Sequence, residues 1–225
     1  MLSRYALYYN NNIGSSIFTL DGTVSTIVDL SATLQSVQGN NPRSISFMIQ
    51  TTYTADCAMI LSTGTASNSH AFGVGFSCGD SHNVYNSIQV FSNGADYHPT
   101  NGKAVNDGLW HTVLVTYDGT TLSIYVDGIL DNAATNWNAG STATIASTLN
   151  TIGNSGNYLG QWADGSSYKW IGQLKNVLFY DYVITNSYAL VNSYQLAGSI
   201  LYNSGTISTI TICYYVIIIY IKAIL

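Results

Sequence analysis

Two groups of residues in this 225-residue chain have the types and spacing to do chemistry. Asp127, Asp131 and Asn132 fall close together and end in oxygen atoms. Such atoms, converging on one loop, are what a Ca²⁺ ion takes as ligands. Neither this trio nor the neighbouring Asn106–Asp107 pair matches a dedicated calcium-loop motif. The second group is Tyr97, Trp137, Tyr158 and Trp162, with Asn136 and Asp164. Flat rings interleaved with amide and carboxylate groups suit a sugar: the rings stack on its apolar face and the polar groups bond its hydroxyls. The competing reading of each ring is a loop aromatic folded over the edge of the domain. Cys57, His70, Cys78 and His82 lack the compact spacing of a zinc motif. His111 shares the parity of an apolar strand face, which reads as a hydrogen-bonded histidine at the edge of the core.

The composition restricts what can position these residues. Only 8% of the chain is charged, and all 11 acidic residues are Asp. Six Lys plus Arg leave a net charge of −5, which lacks the basic excess needed to neutralise phosphates and disfavours nucleic acid as a partner. Glu is absent and Lys and Arg are scarce, so exposed helices and coiled coils are disfavoured as well. With 47% hydrophobic residues and 18 Tyr, the chain is not a disordered one. Thr and Tyr favour strands, and Asn and Gly favour turns, so the expectation is all-β.

The elements follow from period-two patterns between turn signals. IFTLDGT (17–23) reads as a short strand ending in Asp-Gly. In PRSISFMIQT (42–51), Ile45, Phe47 and Ile49 share one face and Ser44, Ser46, Met48 and Gln50 the other, as in a half-buried strand. CAMILS (57–62) and AFGVGFS (71–77) form a hairpin, and NSIQVFS (86–92) adds a strand. The clearest signal is DGLWHTVLVTYDGTTLSIYVDG (107–128), two strands joined through Asp118-Gly119. Val113, Val115, Tyr117, Leu122, Ile124 and Val126 form its core face. Residues 93–108 and 129–169 read as polar loops, 170–185 as the last clear strand and 187–195 as a short helix. Short strands punctuated by turns mean a sandwich or a barrel.

Cys57 and Cys78 flank the first hairpin, either as a disulfide or as two small apolar thiols. The N-terminal MLSRYALYYNNNIG predicts no secretory signal, having no apolar run of the required length. The last residues, 207–225, are nearly all apolar apart from early Ser and Thr and Lys222. They read as a membrane anchor, as extra buried strands or as a read-through segment; the uninterrupted apolar part is short for a span.

Residues 107–128 resemble the central hairpin of LamG-like jelly-roll domains in the concanavalin A-like lectin/glucanase superfamily. The resemblance lies in Trp110-His111, Tyr117-Asp118-Gly119 and Tyr125-Val126-Asp127-Gly128. Leu20-Asp21-Gly22, Ser44 to Thr51 (with Met48 where Trp is usual), and Trp170 to Leu174 continuing to Phe179-Tyr180-Asp181 fall in the family's order. It implies an all-β, two-sheet antiparallel jelly-roll sandwich over residues 1–198, followed by a hydrophobic C-terminal tail over 199–225. It also implies recognition of a glycan or a surface protein, with Ca²⁺ bound in some members, and assigns Trp110 and Trp170 to packing. The glucanase branch of the superfamily uses a Glu pair, which this chain lacks. The expected function is therefore a non-catalytic, lectin-like module that is extracellular or on a cell or virion surface. The alternative is a structural or adhesion protein binding a protein partner.

Overall fold

The computed structural model describes residues 17–23, 28–29, 38–54, 57–67, 69–76, 86–92, 97–99, 102–131, 134–136, 149–152, 157–180 and 182–185. These contain thirteen strands. They are β1 (Phe18–Asp21), β2 (Val28–Asp29), β3 (Arg43–Gln50), β4 (Ala58–Gly64), β5 (Ala71–Phe76), β6 (Ile88–Phe91) and β7 (Tyr97–Pro99). There follow β8 (His111–Tyr117), β9 (Leu122–Val126), β10 (Ile129–Leu130), β11 (Ala134–Asn136), β12 (Tyr158–Leu159) and β13 (Ile171–Tyr180). One sheet runs β1-β13-β3-β8-β9-β10 and the other β11-β7-β6-β5-β4-β12-β2. Every strand pairing within them is antiparallel. Such a two-layer arrangement is the predicted sandwich.

The main core lies between the sheets and follows the predicted parity. Ile45, Phe47 and Ile49 meet Val113, Val115, Tyr117, Leu122, Ile124 and Val126, all buried. Phe72, Val74 and Phe76 face them from β5, and the Phe76 ring meets Trp170 edge-on at 5.5 Å. The Asp118-Gly119 turn forms as read: the Asp118 carboxylate accepts the Thr120 and Thr121 N–H groups at 2.8 and 2.6 Å.

One expectation is corrected. β3 is not half-buried; Arg43 to Ile49 are buried on both faces. β3 is central in its sheet, and the chain after β13 crosses its outer side. There the Ser44 hydroxyl donates to the Tyr182 carbonyl at 2.8 Å and accepts the Ile184 N–H at 2.9 Å. The loop readings also missed β7, β10, β11 and β12, each only two or three residues long. The helix expected at 187–195 and the tail at 207–225 lie outside the described residues. Among the described residues, no helix is long and apolar enough to cross a membrane.

Arg43 closes one end of the sandwich. Its guanidinium donates to Thr151 Oγ1 at 2.8 Å, Gly39 O at 2.6 Å and Asn41 O at 3.0 Å. It also lies 5.4 Å from the Phe72 ring and 5.7 Å from that of Tyr117, so it joins both sheets through cation–π contacts. Burial lowers its pKa to about 10, against the opposing influence of Tyr117.

The outer face of the β4–β5 hairpin carries a second, smaller core of Met59, Ala71, Phe91, Trp162 and Ala163. The AFGVGF pattern explains it. Its large residues point inward, while Gly73 and Gly75 leave a flat outer surface for the rings. A Cβ on Gly73 would stand 2.6 Å from Trp162 Cζ3, and one on Gly75 2.7 Å from Phe91 Cε2. Gly73→Ala is therefore expected to destabilise the domain by about 1–3 kcal/mol through overpacking. An unchanged urea midpoint would show that Trp162 is not seated on that glycine.

Cys57 is disulfide-bonded. The β4–β5 register sets Ala58 against Phe76, which brings the chain two residues before Cys78 alongside Cys57. Non-reducing peptide mapping is expected to recover Cys57 joined to Cys78; recovery with Cys213 would reject that pairing.

Candidate functional site

Two of the three predicted calcium residues, Asp127 and Asp131, are built into a hydrogen-bonded network. Asp127 and Gly128 form the two-residue turn between β9 and β10, both at positive φ (52° and 80°). That is the geometry hairpin twist selects, and Asp tolerates it better than most residues. The Asp127 side chain is consequently free to reach across to β8. Its Oδ1 accepts the Thr112 N–H at 2.9 Å and the Thr112 hydroxyl at 3.3 Å. Its Oδ2 accepts Lys103 Nζ at 2.5 Å and faces His111 Nδ1 at 2.8 Å. Both oxygens are occupied.

Asp131 accepts the Lys103 backbone N–H at 2.8 Å, which leaves its buried Oδ2 without a hydrogen-bond partner. Asn132 lies outside the described residues. Among the described residues, one open oxygen beside an ammonium group falls short of the six or more oxygen ligands that a calcium ion takes. No group of three metal-ligating side chains occurs among the described residues.

His111 is the buried edge histidine that its parity predicts. Its other ring nitrogen, Nε2, faces Asp107 Oδ1 at 3.1 Å. A neutral imidazole can donate to only one of these carboxylates, whereas an imidazolium donates to both. Asp107 also accepts the Leu109 N–H at 2.8 Å. That bond first, and the His111 contact second, hold its carboxyl below the ordinary range. Burial pushes Asp127 up, but hydrogen bonds from Lys103, His111 and Thr112 outweigh burial and hold it low. Asp131 has the opposite sign: burial raises it, against the Lys103 N–H and charge.

The described sugar-binding candidates fall in two places: Tyr97 and Asn136 are register partners on β7 and β11, and Tyr158, Trp162 and Asp164 lie together within residues 157–170. Tyr97 is 1% exposed and belongs to the core, because its strand pairs with Val90 of β6 and points the ring inward. Trp162 is 7% exposed and lies on Gly73. Trp137 and the Asn136 side chain lie outside what the structure describes. Tyr158 is half-buried on β12, and Asp164 is exposed on the loop that follows it, 160–170. The loop is closed by the Trp170 N–H donating to Gly160 O at 2.9 Å. Asp164 caps its own turn, accepting the Ser166 and Ser167 N–H groups at 2.8 Å each. The exposed ring of this loop is Tyr168, at positive φ, rather than Trp162.

A cleft of about 540 Å³ opens at the end of the first sheet, where β3 leaves it and β13 enters. Gln50, Thr51, Thr52 and Thr54 line one side, Ile171 and Gln173 the other, with Tyr53, Gly108 and Gly172 between. The sheet register pairs Gln50 with Gln173. Gln50 Nε2 donates to Gly108 O at 2.7 Å, the Gly108 N–H to Thr51 O at 3.0 Å, and the Thr51 hydroxyl to Ile171 O at 2.8 Å. Gly172 permits the close approach: a Cβ there would meet Gln50 O at 2.8 Å. Among the described lining residues only Tyr53 can ionise. The walls are amides, hydroxyls and one exposed isoleucine, a chemistry that pairs with hydroxylated, uncharged surfaces. The Thr-Thr-Tyr-Thr run at 51–54 is its one signal in sequence, and that run reads equally as a strand end.

The profile of a laminin G-type family, described as the concanavalin A-like lectin/glucanases superfamily, matches residues 21–188. The chain belongs to that family. No curated protein matches it significantly. Among solved structures it is similar to the NanB sialidase of Streptococcus pneumoniae, with 13% identity, a TM-score of 0.50 and coverage of 83% of this chain and 27% of that one. It is similar also to the sialidase of Trypanosoma rangeli, with 16% identity, a TM-score of 0.49 and coverage of 71% and 24%. Domain 4 of an extracellular arabinanase from Geobacillus stearothermophilus, solved with arabinotriose, gives 15% identity, 0.49, and 70% and 67%. The chain thus spans about a quarter of the sialidases' length. At these identities the likeness is one of fold.

The Asp127 network yields a pH prediction. Groups held low in the folded state contribute stability above their unfolded pKa and lose it as pH falls through the folded one. Unfolding free energy is expected to drop with pH below about 4. Asp127→Asn keeps the turn but is expected to cost about 1–3 kcal/mol at neutral pH and to flatten that acid slope. Urea titrations at several pH values measure both, and an unchanged slope would mean Asp127 carries none of it.

Proposed function

We propose that the chain is a non-catalytic glycan-binding module and that the cleft between Gln50 and Gln173 is its binding site. The observation that carries this reading is the cleft's lining of two amides, the exposed Thr52 and Thr54 hydroxyls and the exposed Ile171. Amides and hydroxyls bond sugar hydroxyls, and the isoleucine offers the apolar contact. Membership of a lectin/glucanase superfamily is consistent with it.

Catalysis is disfavoured on local chemistry. Glycoside hydrolysis needs a carboxylic acid kept protonated as well as a second carboxylate. Asp107, which immediately precedes Gly108 of the cleft, is held ionised by the Leu109 N–H and His111. An extracellular or surface location is part of the proposal, since the Cys57 disulfide fits an oxidising compartment.

A second reading, an adhesion module for a protein partner, has one specific support. The short edge strand β10 exposes Ile129 (63%) and Leu130 (49%), and an open edge can receive a partner strand.

A glycan array probed with the full chain is the test. Binding to at least one oligosaccharide is expected, with Gln173→Ala weakening it tenfold or more while the melting temperature stays within a few degrees. Loss of glycan binding on Ile129→Asp instead, with Gln173→Ala silent, would move the glycan site to β10, whereas binding to no glycan at all would favour the adhesion reading.

A further inference from the structure

Gln50 and Gln173 of the cleft lie on the outer face of the first sheet, and that face continues beyond them. Ile49 and Leu174 point into the core, so Met48, Gln50, Gln173 and Lys175 share the opposite face. Trp110 directly precedes β8, and the pairing of Ile49 with His111 carries the register of Gln50 on to Trp110. Gln173, Gln50 and Trp110 thus form one row across β13, β3 and the start of β8. Neighbouring strands stand about 4.8 Å apart, so the row spans about 10 Å.

The surroundings of Trp110 differ from those of Trp170, although the family resemblance assigns both to packing. Trp170 is fully buried and meets Phe76 edge-on. Trp110 is half-buried and belongs to neither buried cluster. Its ring is covered by Lys175, whose ammonium stands 4.0 Å from the ring centroid. Lys175 is the register partner of Met48, so its stem crosses β3 to reach an indole on the far side. We infer that Trp110 is a sugar-stacking residue of the site and that Lys175 is a displaceable cover over it. The inference rests on the glycan-binding reading above.

An indole offers the C–H face of a sugar ring a broad, flat apolar contact, which Ile171 alone does not. The amides of the same row supply partners for the hydroxyls. Lys175 is suited to leave. A cation over a ring at a partly exposed site is a weak contact. Burial lowers the pKa of this ammonium, so its place over the ring costs hydration that release into water restores. Among the described residues no carboxylate pairs with it. Its flexible four-carbon stem can swing aside without moving β13.

The experiment titrates lactose, cellobiose, arabinotriose and the tightest oligosaccharide of the glycan array against the full chain, read by tryptophan fluorescence and calorimetry. Trp110→Phe, which keeps a smaller ring, is expected to weaken binding at least threefold and to reduce the fluorescence change on adding sugar. Lys175→Ala uncovers the indole. It is expected to tighten binding at least threefold and to increase acrylamide quenching of the sugar-free chain. Binding that Gln173→Ala weakens but neither of these variants changes overturns the inference and leaves the glycan-binding reading intact. Weaker binding by Lys175→Ala also overturns it, because the ammonium is then a contact rather than a cover. Should Trp110→Phe fail to fold, Lys175→Ala decides alone: tighter binding supports the inference, and unchanged or weaker binding overturns it. Failure to bind any sugar removes both.

Discussion

The arrangement around the cleft depends on one carboxylate, that of Asp127. Because Asp127 occupies a turn position with positive φ, its side chain is not consumed by its own turn and crosses to the start of β8. There it fixes the Thr112 backbone and one nitrogen of His111. The other nitrogen reaches Asp107, the neighbour of Gly108, and Gly108 is tied to Thr51 and Gln50. The order of the cleft wall is thus inherited through a chain of short contacts from a hairpin turn. Charge-assisted bonds suit this role, being shorter and more directional than neutral ones. Lys103 supplies a positive charge at Asp127, and the Thr112 and His111 contacts complete the carboxylate's hydrogen bonds.

The opposite end of the sandwich solves a different problem. Arg43 brings a charge into the core where the structure gives it carbonyl oxygens and ring faces, not a carboxylate. Burying a charge this way is costly unless its N–H groups are satisfied, and here the Gly39 and Asn41 carbonyls and the Thr151 hydroxyl satisfy them. The two ends therefore differ in kind. The Arg43 end locks the sheets together, while the Asp127 end shapes a surface.

Much of the fold was legible because it obeys period two. The β3, β8 and β9 core faces, the β4–β5 hairpin and the Asp-Gly turns all follow from alternation and turn chemistry. What was illegible follows from features that have no period. Strands of two or three residues, such as β10 and β12, carry too few positions to show alternation and form only because longer neighbours offer an edge. Tyr97 and Trp162 were misplaced for a related reason. A ring in a polar stretch reads as exposed, yet Tyr97 lies on one such short strand and Trp162 is drawn onto the flat surface left by Gly73. The cleft is assembled from residues more than a hundred positions apart and shaped by Gly108 and Gly172, so no local pattern announces it.

The acidity of the chain takes its meaning from the same geometry. Asp21, Asp107, Asp118 and Asp164 each precede a glycine, and each accepts the N–H two residues on at 2.8 Å. These carboxylates are present because tight turns need them; backbone bonds hold Asp107 and Asp118 low, and the Ser167 hydroxyl followed by backbone bonds holds Asp164 low. Part of the net charge of −5 is thus a by-product of turn chemistry. Position matters more than the sum. Turns cluster at the ends of strands, and the cleft opens at the end of a sheet, so two turn carboxylates come to stand at its rim. The requirement that closes the turns thus also places carboxylates beside the mouth of the site.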